Sequence, residues 1–111
     1  MHKKPTVLGA QKALQVISTV VQQTPLQFNK RLSEALSASI FLKREDQQQV
    51  RSFKIRGAFN KINALDPKEL EKGIVCASAG NHAQGFAFSC NQLKIYGIVY
   101  MPIPTPNQKV E

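Results

Sequence analysis

The sequence predicts an α/β fold: a parallel strand–helix–strand unit with flanking helices, belonging to a domain that this chain leaves incomplete. Three observations predict it. Residues 74–77 (Ile-Val-Cys-Ala) and 94–101 read as short apolar strands separated by one helical stretch, the spacing of a parallel crossover. Residues 10–23 and 55–65 repeat apolar side chains at helical intervals. A parallel sheet is normally covered on both faces, and the few strands and helices legible here leave it thin.

The elements follow in order. Ala10, Ala13, Leu14, Ile17, Val20 and Val21 mark one face of a helix that should run to Gln23. Thr24-Pro25 stops it, because a residue before proline avoids the helical region. A short helix is expected from about Asn29 to Leu36 with Leu32, Ala35 and Leu36 facing inward, and then a strand from Ser39 to Lys43. Residues 44–51 are polar and irregular, a loop, and Ser52 is the expected N-cap of the helix that carries Ile55, Ala58, Phe59, Ile62 and Leu65. Asp66-Pro67-Lys68-Glu69 is a helix start with a capping acid and proline at the first position, and Gly73 ends that helix. After the strand at 74–77, Ser78-Ala79-Gly80-Asn81 is a tight turn. A helix follows with Ala83, Phe86, Ala87, Cys90 and Leu93 on one side. Residues 107–111 could open a further helix beyond Pro102, Pro104 and Pro106.

Composition narrows the function classes. Hydrophobic residues are 42% of the chain, and no apolar run approaches the ~20 residues that span a bilayer. The basic start lacks the apolar stretch of a signal peptide, so the expected location is cytoplasmic. The formal charge is +8, yet the basic residues are dispersed and tryptophan is absent, so no nucleic-acid partner is expected. A small basic non-enzymatic binding module is the alternative that this charge supports. Cys76 and Cys90 have neither disulfide-framework nor metal spacing and read as small apolar side chains.

Two stretches carry chemistry. Lys54, in Arg51-Ser52-Phe53-Lys54-Ile55-Arg56-Gly57-Ala58, lies in the expected first turn of a helix, the positive end of its dipole, with Arg51 and Arg56 adding like charge. Both effects favour the neutral amine that Schiff-base chemistry uses. From this stretch alone, a solvated lysine on a helix face is the plainer reading. The second stretch, Ser78-Ala79-Gly80-Asn81-His82, joins the carboxyl end of a strand to a helix amino terminus, where ligands of open α/β sheets and anions in particular are bound. A capped turn without ligand explains it equally well, and a lone histidine such as His82 more often caps or packs than moves protons. No metal cluster, catalytic triad or Walker-type phosphate loop is present in the sequence.

Taken together, Leu42-Lys43-Arg44-Glu45-Asp46, Ser52-Phe53-Lys54-Ile55-Arg56-Gly57-Ala58 and Ala77-Ser78-Ala79-Gly80-Asn81-His82-Ala83-Gln84-Gly85 resemble the threonine dehydratase family in order and spacing. Thr24-Pro25-Leu26, Met101-Pro102 and Thr105-Pro106-Asn107-Gln108-Lys109-Val110 fit as well, and the wording is most similar to the biosynthetic branch that feeds isoleucine synthesis. The resemblance implies a partial fold type II enzyme using pyridoxal 5'-phosphate to turn L-threonine into 2-oxobutanoate and ammonia. It implies that Lys54 forms the Schiff base and removes the Cα proton. Asn81 would contact the cofactor ring hydroxyl, and Phe53 would lie against the ring. Ser78, Ala79, Gly80, Asn81 and His82 would hold the substrate carboxylate. Residues 1–52 would pack with a large domain, and residues 53–111 would begin the small α/β cofactor domain. A homo-oligomer is expected of the full-length enzyme, and this 111-residue chain alone is expected to be inactive. A serine racemase or serine dehydratase of the same fold is the alternative.

Overall fold

The computed structural model describes residues 4–109. Among the described residues, five α-helices and four strands follow in order: α1 Val7–Ile17, β1 Leu26–Phe28, α2 Lys30–Leu36, β2 Phe41–Lys43, α3 Lys54–Asn63, α4 Pro67–Leu70, β3 Ile74–Ala77, α5 Asn81–Leu93 and β4 Gly97–Tyr100. Short 3-10 turns lie at Glu45–Gln47 and Asn107–Lys109. The expected parallel unit is present: β3 and β4 pair in parallel, Ile74 opposite Gly97 through Ala77 opposite Tyr100, with α5 as the crossover. The mixed α/β class is therefore as the sequence predicts.

The core lies where α3 crosses α5 and both meet the sheet. Ile55, Ala58, Phe59 and Ile62 of α3 and Ala83, Phe86 and Cys90 of α5 are buried, and Ile62, Phe86 and Cys90 form one cluster. Ile74, Cys76 and Val99 pack onto this cluster from the sheet. The opposite face of the sheet carries Val75, Ile98 and Tyr100 and is exposed, so the parallel pair is covered on one side by the described residues. A radius of gyration of 16.6 Å also exceeds the ~13 Å of a compact domain of this length.

Several expectations change in detail. α1 begins at Val7, capped by the Thr6 hydroxyl accepting Gly9 N–H at 3.0 Å, and stops at Ile17 rather than Gln23. The reason is local: the hydroxyls of Ser18 and Thr19 donate to the carbonyls of Gln15 and Val16, offering the backbone partners that compete with further helical turns. β1, for which the sequence reading names no element, pairs antiparallel with β2. Leu32, Ala35 and Leu36, expected to face inward, are exposed, as α2 makes no extensive contact with another described element. Ala87 is exposed and Ser89 is fully buried, its hydroxyl donating back to Gly85 O at 2.7 Å. The final strand shortens to Gly97–Tyr100 because Lys94 takes a left-handed conformation (φ 54°) that closes α5. Asn107–Lys109 forms only a 3-10 turn, and Val110 and Glu111 lie outside the described residues.

Ser52 does not cap α3. Arg51 adopts a left-handed conformation (φ 56°), and the chain is already helical at Phe53, which occupies the cap position without a side-chain hydrogen bond. A capping hydroxyl needs extended backbone at the boundary, and Ser52 has lost that place. Its hydroxyl is buried without a partner.

Candidate active site

A cavity of about 530 Å³ opens between α3, α5 and β3, within the size range of small-molecule sites. Phe53 and Lys54 stand at one end of it, Gly57 and Lys61 continue along α3, and His82 contributes from the start of α5. Ile62, Phe86 and Cys76 supply apolar wall. The Lys54 ammonium lies over the Phe53 ring, 5.6 Å from its centroid.

The position of Lys54 is fixed from the α5 side by main-chain contact. A Cβ on Gly85 would lie 3.0 Å from the carbonyl carbon and oxygen of Lys54 and 3.2 Å from Ile55 N. Only glycine lets α5 approach the first turn of α3 this closely. Gly57 does the opposite: a Cβ there would meet nothing within 4 Å, so the glycine keeps one cavity wall flat. Neither was singled out from sequence. The available signal was a glycine inside each helical stretch, where it costs ~1 kcal/mol relative to alanine and so calls for a packing reason. Lys61 was also missed. It follows Lys54 by two turns on the same face and lies in the last turn of α3, the end of a helix that favours cations.

The turn from Ser78 to His82 lies at the carboxyl end of β3, as expected. The Ser78 hydroxyl accepts the N–H groups of Gly80 and Ala83 at 3.2 Å each and so caps α5. Of this turn, His82 lines the cavity, whereas Ser78, Ala79, Gly80 and Asn81 do not. The Asn81 side-chain oxygen accepts from Lys109 Nζ at 2.8 Å, and the same ammonium donates to Gln84 Oε1 at 2.9 Å. An ammonium can only donate, so the Asn81 atom that faces Lys109 is its oxygen.

Behind Lys54, a polar cluster binds α3 to the preceding segment. Arg56 Nε and Nη2 donate to Glu45 Oε2 and Oε1 at 2.8 and 2.7 Å, a two-pronged pair. Thr24 Oγ1 donates to Glu45 Oε1 at 2.5 Å. Gln48, almost fully buried, donates to Gln22 O at 2.8 Å and accepts Gln22 N–H at 3.0 Å. The Arg56 guanidinium holds the Glu45 carboxyl down at about 2, and Glu45 in turn raises Arg56. Arg56 therefore does not confront Lys54 as an unpaired like charge, which revises the expectation from sequence. Burial raises the thiols of both Cys76 and Cys90, in keeping with inert apolar roles.

The residues present fit the aldehyde cofactor implied by the sequence resemblance. They offer a primary amine, a flat aromatic neighbour and a wall that the missing Cβ of Gly57 leaves open. Among the described residues no group of histidine, cysteine and acid side chains could hold a metal ion. Nor is any described helix long and apolar enough to cross a membrane.

Comparison with known proteins agrees. The signature of the pyridoxal-phosphate dependent enzymes matches residues 17–111. The chain is 59% identical over 99 residues to the biosynthetic L-threonine dehydratase IlvA of Bacillus subtilis, covering 89% of this chain and 24% of that protein. Among solved structures, the processed threonine deaminase isoform 2 of Solanum lycopersicum superposes with a TM-score of 0.76 at 36% identity, over 99% of this chain and 32% of that one. Maize serine racemase superposes at 0.83 and 34%, over 90% of this chain and 30% of that one. The chain thus spans about a quarter of the length of the curated relatives it matches. With the lysine, the ring and the cavity joined in one place, the chain belongs to the family of pyridoxal-phosphate-dependent enzymes.

Proposed function

We propose that the protein is an ammonia-lyase that converts L-threonine to 2-oxobutanoate and ammonia, with this chain supplying the lysine and the substrate-facing turn. The observation that carries this reading is the placement of Lys54 and Phe53 at one cavity with His82. The cofactor, when bound, supplies an electron sink for charge left at the substrate Cα. Lys54 would hold the cofactor through its amine and, as the free amine, would take the Cα proton. Phe53 would support the cofactor ring, and Asn81 would help to hold it through its side-chain amide. The turn of Ser78, Ala79, Gly80, Asn81 and His82 receives the carboxylate at the positive end of α5.

In this reading residues 1–52 pack with a large domain and residues 53–111 begin a small cofactor domain. The protein is a cytoplasmic homo-oligomer acting at the entry to isoleucine synthesis. Support comes from the names of the relatives: the similar bacterial proteins are biosynthetic threonine dehydratases. The likeness to maize serine racemase favours one second reading, a serine-specific enzyme of the same fold.

Borohydride reduction in the presence of pyridoxal 5'-phosphate, followed by peptide mapping, tests the lysine. Label on Lys54 is expected, and label confined to Lys61 or elsewhere would overturn the assignment. Product analysis of the full-length protein with L-threonine and L-serine separates the two substrates: 2-oxobutanoate as main product supports the first reading, D-serine or pyruvate the second.

A further inference from the structure

We propose that the Glu45–Arg56 pair is a positioning device that sets the rotation of the first turn of α3 and thereby the direction in which Lys54 reaches into the cavity. The inference rests on reading Lys54 as the cofactor lysine. Arg56 follows Lys54 by two residues, so their side chains leave the helix on nearly opposite sides. Lys54 lines the cavity, while Arg56 reaches away from it to the two carboxylate oxygens of Glu45. A two-pronged planar pair fixes orientation as well as distance.

Nothing local does this work. The α3 amino terminus has no side-chain cap, and the Ser52 hydroxyl is without a partner. The turn is held instead from two sides by distant parts of the chain: Gly85 against its backbone, and Glu45 against Arg56. Glu45 is itself braced. Its side chain is 13% exposed, and it accepts from Thr24 as well as Arg56. Neighbouring Gln48 clasps both backbone groups of Gln22. Lys43 Nζ donates to the carbonyl of Thr24, tying β2 to the same knot. Rotation of the α3 turn would have to break the fork, and the knot leaves Glu45 no room to follow.

Lys61 makes the proposal testable, because it lines the same cavity from the far end of the same helix. The readout is the ratio of borohydride-trapped pyridoxal phosphate on Lys54 to that on Lys61 in the full-length protein. R56K keeps the charge and loses the fork. A positioning role predicts that its Lys54:Lys61 ratio falls about tenfold, which corresponds to ~1.4 kcal/mol. A general loosening of the fold lowers both labels and leaves the ratio unchanged, which would overturn the proposal, as would full rescue by lysine. T24V removes one donor to Glu45 with little change of volume, and a smaller shift of the ratio in the same direction is expected. If R56K does not fold, T24V decides, and an unchanged ratio there refutes the device. Absence of Lys54 label in the unsubstituted protein would sink the functional reading itself, and the positioning role with it.

Discussion

Gly85 sets how closely α5 approaches the lysine turn, and G85A should separate packing from propensity. The new methyl would lie 3.0 Å from the carbonyl carbon and oxygen of Lys54, and these are backbone atoms that cannot swing aside. Relaxed carbon contacts lie at about 3.5–4.0 Å, so α3 and α5 must part by about 0.5 Å. Overpacking of this kind costs about 1–3 kcal/mol. Alanine in place of glycine inside a helix returns up to ~1 kcal/mol. The net expectation is a loss of about 1 kcal/mol, or ~4 °C in Tm, together with reduced pyridoxal phosphate trapping at Lys54. The assay is thermal unfolding followed by circular dichroism, paired with peptide mapping of the reduced adduct. A rise in Tm with unchanged trapping would show that helix propensity outweighs the close contact. The claim that Gly85 fixes the position of Lys54 would then fail.

Other outcomes follow from the same structure. G57A adds a methyl that meets nothing within 4 Å. It should therefore stabilise the chain by roughly 0.5–1 kcal/mol and weaken pyridoxal phosphate binding by occupying the cavity; unfolding and absorbance titrations read the two effects separately. Glu45 sits at about 2 in the folded chain against an ordinary 4.5, so its stabilising effect is complete above the ordinary value and is lost as pH falls toward 2. Urea unfolding at neutral pH and at pH near 3 should show this loss, at most about 3 kcal/mol in all, and E45Q should flatten the acid limb. G97A places a methyl 2.6 Å from Cys90 Sγ and 3.0 Å from the Phe86 ring. It should cost about 1–3 kcal/mol, and C90A in the same chain should recover part of that in a double-mutant cycle.

The parallel unit and the α3–α5 core were legible because their apolar residues repeat with the period of the element that buries them. Ile55, Ala58, Phe59 and Ile62 are an unbroken example. β1 was not legible. Leu26-Gln27-Phe28 is short, all three residues are exposed, and its partner lies beyond α2, so neither alternation nor a hairpin turn announces it. Leu32 and Leu36 show the reverse failure: their spacing signals a buried face, yet they are 39% and 63% exposed. Of the residues that line the cavity, Lys54, Phe53 and His82 could be named from their motifs. The partner of Arg56 could not, because sequence places cations near one another without showing which one a carboxylate will claim. Gly57 and Gly85 were visible as helix glycines, but the opposite reasons for them, open space and close contact, exist only in three dimensions.

The backbone contact at Gly85 has a consequence for how such a site can diversify. The amine-bearing turn of α3 and the start of α5 are separated by main-chain van der Waals distance, with no side chain acting as spacer. Exchanging the residues that line the cavity changes its size and polarity without altering that separation. The shape of the cavity and the gap between the two turns are therefore independent variables in this architecture, and the first can drift while the second stays constant.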